Sequence, residues 1–104
     1  MRSHWIYIMT NNSLTSFYTG VTNNLSRRMQ EHRLRLIDGF TKKYNITRLI
    51  YAEEASDVRD AIAREKQIKN WRREKKIALV RTLNQGFRDL AREWGCFPTI
   101  RSSK

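Results

Sequence analysis

With 104 residues the chain can form one domain with a single modest core, burying ~60–70% of the surface its unfolded form would expose. Lys and Arg total 21 against 10 Asp and Glu, for a formal charge of +11, a balance that favours a polyanionic partner, nucleic acid first of all. Residues 3–26 carry no charge, but Asn11, Asn12, Ser13, Thr15, Asn23 and Asn24 interrupt them, so they cannot span a bilayer.

No lipidation signal and no helix with a wide apolar face opposite a basic one suggests a membrane surface. The apolar run Trp5–Met9 is too short for the core of a signal peptide. Cys96 is the only cysteine, and the only histidines are His4 and His32, which excludes an internal disulfide and a Cys/His zinc cage. A cytoplasmic protein is the economical expectation.

The bulky runs Trp5–Met9 and Phe17–Val21, separated by the turn cluster Asn11-Asn12-Ser13, predict a β-hairpin. Alternation puts Tyr7 on the face away from Ile6 and Ile8, and Tyr18 and Gly20 on one face together. Asn24 is a good N-cap, and Leu25, Met29, His32 and Leu36 recur at helical spacing behind it. His32 therefore belongs to the apolar side of that helix, with Arg28 one turn before it. After Asp38-Gly39 comes a basic loop over 40–45 containing Lys42 and Lys43, then a third strand over Thr47–Ala52.

Ser56 is expected to cap a long helix whose buried side is Val58, Ala61, Ile62, Ile68 and Trp71. Glu65 falls inside that stripe, where a carboxylate is costly unless paired or bound to metal. From Lys66 to Lys76 the same helix carries Lys66, Lys69, Arg72, Arg73, Lys75 and Lys76 against Glu74. Ile77, Leu79, Val80 and Leu83 resume the apolar pattern, Gly86 breaks it, and a short helix with Phe87, Leu90 and Trp94 follows. The domain is expected to cover residues 1–94, with 95–104 a flexible tail.

Cutting a phosphodiester needs something to activate water, a cation against the phosphoryl oxygens and help for the departing oxygen. Glu65 could hold a divalent ion and Arg28 could contact the scissile phosphate. A tyrosine with its pKa pulled well below its free value of about 10 could take a proton from water.

Tyr7 in Trp5-Ile6-Tyr7, then Tyr18-Thr19-Gly20, Arg28, His32 and Glu65 resemble, in order and spacing, the GIY-YIG nuclease superfamily. The likeness is to its small stand-alone bacterial branch, and it covers residues 4–94, including YTGVTNNLSRRMQEH and AIAREKQIKNWRREKKIAL. The superfamily includes the amino-terminal nuclease domain of a nucleotide-excision-repair endonuclease. The resemblance implies an α+β domain, a three-stranded antiparallel sheet flanked by helices, hydrolysing DNA with one divalent metal ion, Mg²⁺ or Mn²⁺. It implies Tyr7, Tyr18, Arg28, His32 and Glu65 as the site, Glu65 as the metal ligand and Asn84 as the match to a late asparagine. Trp5 stands where the first motif has glycine, and Thr19 where the second has isoleucine.

Each residue also has a plainer reading: tyrosines as ordinary strand residues, His32 as a core histidine, Arg28 paired with Glu31 or Glu65, Glu65 neutralised by Lys69 at i+4. The combined expectation is an endonuclease with Tyr7 or Tyr18 activating water, Tyr7 preferred, and His32 orienting or relaying protons. Arg27, Lys42, Lys43, Lys66, Lys69, Arg72 and Arg73 are expected to contact the DNA backbone. The competing reading is a non-catalytic nucleic-acid-binding module or an accessory subunit of a repair complex.

Overall fold

The computed structural model describes residues 3–34, 36 and 39–95. The expected hairpin forms from β1 (His4–Thr10) and β2 (Phe17–Thr22), and β1 pairs on its other side with β3 (Arg48–Ala55), giving a three-stranded sheet of order β2-β1-β3. Both pairings are antiparallel, and Tyr7 lies opposite Gly20 on one side and Ala52 on the other. The β1–β3 register slips by one residue between Ile8↔Tyr51 and Met9↔Leu49, which passes over Ile50 on β3. A bulge frees main-chain groups from the ladder, and the Ile50 carbonyl accepts from the side chain of Asn84 at 3.1 Å.

As the central strand, β1 is covered on both faces, and Ile6 to Thr10 are all fully buried. One face packs Tyr7 and Met9 with Leu25 and Met29 of α1 (Leu25–Arg33) and with Leu90 and Ala91 of α5 (Leu90–Glu93). The other packs Ile6 and Ile8 against Ala61 and Ile68 of α3 (Val58–Lys69) and Val80 of α4 (Arg73–Leu83). Alternation along one strand thus feeds two separate apolar layers, the requirement for a sheet flanked by helices.

Helix α1 begins as expected, the Asn24 side chain accepting from the Arg27 amide at 3.0 Å. It ends at Arg33, however, so Leu36, expected in its buried stripe, is 67% exposed. Part of the expected basic loop is helical, α2 (Phe40–Lys43). The cap of α3 is Asp57, one residue beyond the expected Ser56, accepting from the Arg59 amide at 2.8 Å. Val58 and Ile62 are 46% and 40% exposed, because α3 rests on the sheet through Ala61 and Ile68 and leaves those two at its rim.

The expected continuous basic helix is broken. α3 ends at Lys69, and Arg72 takes an extended conformation before α4 starts. At this corner Trp71 is half-buried, with the Arg64 guanidinium 5.3 Å and the Lys75 ammonium 4.4 Å from its ring. Arg64 also donates to Glu53 (Nε to Oε2, 2.8 Å), fastening α3 to β3. That strand runs three residues past its expected end, so Glu53 is a strand residue bonded to Arg64 and Tyr51. Among the described residues no helix is long and apolar enough to cross a membrane. The expected tail lies, apart from Gly95, outside the described residues.

Candidate active site

Tyr7, Tyr18, Arg28 and His32 come together on the α1 side of the sheet. The ring centroids of Tyr7 and Tyr18 are 6.1 Å apart, and His32 stands edge-on to both, at 5.8 and 5.5 Å. The Tyr7 hydroxyl is 3.2 Å from His32 Nε2, and it donates there when the imidazole proton sits on Nδ1. Strand pairing explains the grouping: Tyr18 lies opposite Met9, Gly20 opposite Tyr7, and α1 drops His32 onto the same face.

Gly20 makes room for this arrangement. A Cβ built there would lie 2.6 Å from both Cζ and the hydroxyl of Tyr7, and 2.9 Å from the Tyr18 ring. The space a side chain would take is filled by Tyr7.

Burial sets the charge states. His32 is 2% exposed, and desolvation, with the Arg28 cation beside it, lowers its pKa from 6.5 to about 4, so it is neutral at physiological pH. Tyr7 is pushed upward, first by desolvation and then by the neighbouring Tyr18, with Arg28 opposing only in part. This is opposite to the depressed tyrosine expected from the sequence: a fully buried hydroxyl beside a neutral imidazole keeps its proton.

A stability prediction follows for His32. Its folded pKa lies below the unfolded value, so between about pH 6.5 and 4 the unfolded chain binds a proton that the native state excludes. Stability is therefore complete above pH 6.5 and falls as pH drops toward 4, by about 3 kcal/mol in all for this residue. Urea titrations across that range should show this loss, and His32→Gln should flatten it; an unchanged slope in the variant would remove the buried histidine as its source.

Arg28 is partly exposed, with Nε 3.5 Å from Glu31 Oε1, a loose pair that leaves the guanidinium able to meet a phosphate. Glu65, with a side chain only 12% exposed, pairs with Lys69 at 2.9 Å. It makes no hydrogen bond to the tyrosines or His32 among the described residues. Its link to them is electrostatic: Lys69 is held protonated mainly by Glu65 and also feels Tyr18. Asn84 stands apart. Fully buried, its amide donates to the carbonyls of Ile50 and Arg88 and accepts from the Arg88 amide, so it braces the turn after α4 and its amide hydrogens are spent on main chain.

The expected DNA-contacting cations divide similarly. Arg27, Lys42, Lys43, Lys66 and Arg72 are exposed. Arg73 donates to the Thr15 carbonyl and lies 4.9 Å over the Phe17 ring, so it holds the hairpin turn. Lys76 is half-buried, and burial, Lys69 and Arg73 together lower its pKa; it adds a third positive charge to that cluster, which the sequence pattern does not single out for binding.

The family model of the GIY-YIG catalytic domain matches residues 3–78. The chain belongs to this family. GIY-YIG domains are nuclease domains, and this one is 31% identical over 81 residues to the UPF0213 proteins SAV0488 and SA0446 of two Staphylococcus aureus strains, Mu50 and N315, covering 78% of this chain and 98% of each relative. Its fold is shared with the solution NMR structure of UPF0213 protein BH0048 from Bacillus halodurans, at a TM-score of 0.55 and 24% identity over 86% of this chain and 95% of that one. Within the GIY-YIG frame, Thr19 has a cost of its own: it is 3% exposed, and its hydroxyl has no partner among the described residues.

Proposed function

We propose that this GIY-YIG chain is a divalent-metal-dependent endonuclease that hydrolyses phosphodiester bonds of DNA. The observation that carries the reading is the run of proton-bearing groups from half-exposed Tyr18 through buried Tyr7 to neutral His32, with the Arg28 cation beside it.

In this reading Tyr18, the more exposed tyrosine, takes the proton from the attacking water and passes its own to Tyr7. The Tyr7 proton then moves to Nε2 of His32. Neutral His32 has Nε2 open to accept it, and because burial opposes a lasting imidazolium, the proton returns along the relay to the departing oxygen, so no free phenolate persists. This replaces the preference for Tyr7 as the residue that meets water. Arg28 stabilises the charge that grows on the phosphoryl oxygens, an effect worth about 10²–10³-fold for one well-placed donor. Asn84 serves as a brace.

Glu65 would hold Mg²⁺ or Mn²⁺. No group of three or more His, Cys, Asp or Glu side chains able to hold a metal exists among the described residues. A single carboxylate nonetheless suits a hard cation that keeps most of its waters and takes other ligands from substrate phosphate. When bound, such an ion supplies positive charge against the reacting phosphate. Lys69 occupies that carboxylate at 2.9 Å, so metal binding has to displace it.

The test is incubation of the purified chain with single-stranded, duplex and branched DNA, with Mg²⁺, Mn²⁺ or EDTA. Cleavage should require metal and should fall sharply in Tyr18→Phe and Arg28→Ala. Lys69→Met should lower the metal concentration for half-maximal cleavage by about 2–5-fold, the size of a partly exposed ion pair; Arg59→Gln, an equal loss of charge at an exposed position on α3, should leave it unchanged. The short Glu65–Lys69 pair also favours a second reading, a scaffold that binds nucleic acid without cutting it. Binding without products under every metal condition would establish that alternative.

A further inference from the structure

Three cations meet where the basic corner reaches the edge of the sheet. Lys69 is the last residue of α3, and Arg73 and Lys76 lie three apart at the start of α4, a spacing that puts both on one side of that helix. The Arg73 guanidinium stands 4.9 Å over the ring of Phe17, on the outer strand β2. Lys69 is close enough to Tyr18, the next residue of β2, to feel its charge. The cluster therefore borders β2 where Tyr18 enters the candidate active site.

Little within the chain answers this charge. Glu65 pairs with Lys69, and one donor of Arg73 goes to the Thr15 carbonyl. A surface lysine ordinarily lays its stem on the protein and keeps its ammonium in water. Lys76 is instead half-buried with two cations facing it; burial, then Lys69, then Arg73 lower its pKa, and no carboxylate among the described residues opposes them. Its place is also unfavourable for the helix. Arg73 and Lys76 occupy the first turn of α4, the positive end of the helix dipole, where carboxylates are preferred. Stability does not account for cations gathered here, whereas a bound anion would relieve their repulsion.

We propose that Lys76, together with Lys69 and Arg73, holds a backbone phosphate of the nucleic-acid strand that flanks the scissile one, on the Tyr18 side of the candidate active site. The proposal rests on the reading of the chain as acting on nucleic acid. Lys69 ties the two places together, because its ammonium pairs with Glu65, read as the metal ligand, and senses Tyr18, read as the residue that meets water. A lysine ammonium is a compact charge with three rotatable donors, enough to follow the oxygens of a phosphodiester. The contact positions the strand without reading its bases.

The experiment measures binding of oligonucleotides to the full chain in EDTA across a salt series, which does not depend on whether the chain cuts. Lys76→Met keeps an unbranched apolar stem and removes the charge. It should lower the slope of log K against log salt by ~0.7 on single strands or ~0.9 on duplex, while the free chain melts no lower than wild type. Arg59→Gln, an equal loss of charge at the opposite end of α3, should leave the slope unchanged. Lys76→Gln reads out the same slope should the methionine variant fail to fold. Equal slopes for the Lys76 and Arg59 variants would overturn the site, and a lower melting temperature alongside them would make Lys76 a structural residue. Competition by polyglutamate as effective as that by DNA of matched charge would also overturn it. Wild-type binding without metal-dependent cleavage would sink the nuclease reading and leave this site standing; cleavage with equal slopes would do the reverse.

Discussion

Glu65→Gln is expected to lower metal-dependent cleavage by at least about 10³-fold, ~4 kcal/mol of transition-state stabilisation, while DNA binding tightens. The two changes run in opposite directions for one reason. Glu65 is the carboxylate read as the metal ligand, and the amide of glutamine is a poor ligand for a hard cation. In the wild-type chain without metal, the same carboxylate neutralises Lys69. Removing it raises the formal charge of +11 by one and releases Lys69, whose side chain is 57% exposed, to meet phosphate. Stability should change little, because glutamine has the same shape and a pair with one exposed partner contributes at most ~1 kcal/mol. Cleavage assays and EDTA binding curves on the same preparations separate the outcomes. A variant that cuts as well as wild type ends the role of Glu65 and points to a contaminating nuclease; weaker binding alongside lost cleavage would indicate damage to the fold instead.

Features that depend on neighbours in the chain are legible in the amino-acid sequence. The hairpin, the Asn24 cap, the placing of His32 on the buried side of α1 and the partial burial of Glu65 all follow from two- and 3.6-residue periodicity, and the fold has each of them. Features set by packing between distant segments are not. The break at Asn70–Arg72 is marked by no proline or glycine in the sequence; it reflects α3 and α4 each turning an apolar side to the same sheet face. Leu36, Val58 and Ile62 fit a helical stripe, yet lie beyond or at the rim of the contact. Asn84 can be matched to a motif by position, but its work at the β3 bulge depends on a register slip no local pattern encodes. The direction of the Tyr7 shift likewise needs the burial of its hydroxyl, which alternation alone does not give.

Gly20→Ala should destabilise the fold by about 1–3 kcal/mol and lower cleavage by ~10²-fold, the scale of an ångström-level displacement at a reacting centre. Gly20 has no left-handed backbone to protect, so the cost is one of space alone. The added methyl would stand 2.6 Å from Cζ and the hydroxyl of Tyr7 and 2.9 Å from Tyr18, and something must move. The exposed end of a long side chain would move cheaply. Tyr7 is fully buried, packed with Met9, Met29 and Leu49, and its hydroxyl is tied to His32, so displacing its ring strains the core and breaks the relay together. Gly86 provides the comparison: a Cβ there meets nothing nearer than Arg88 Cγ at 3.7 Å, so Gly86→Ala should be neutral or slightly stabilising. Truncating the ring end should relieve part of the clash. In a double-mutant cycle, Gly20→Ala should therefore cost less stability in a Tyr7→Phe background, with a coupling of ~0.5–3 kcal/mol. Additive effects in thermal or urea unfolding would show that Gly20 and Tyr7 do not share this space, and the assembly of the site around the β1–β2 pair would need another cause.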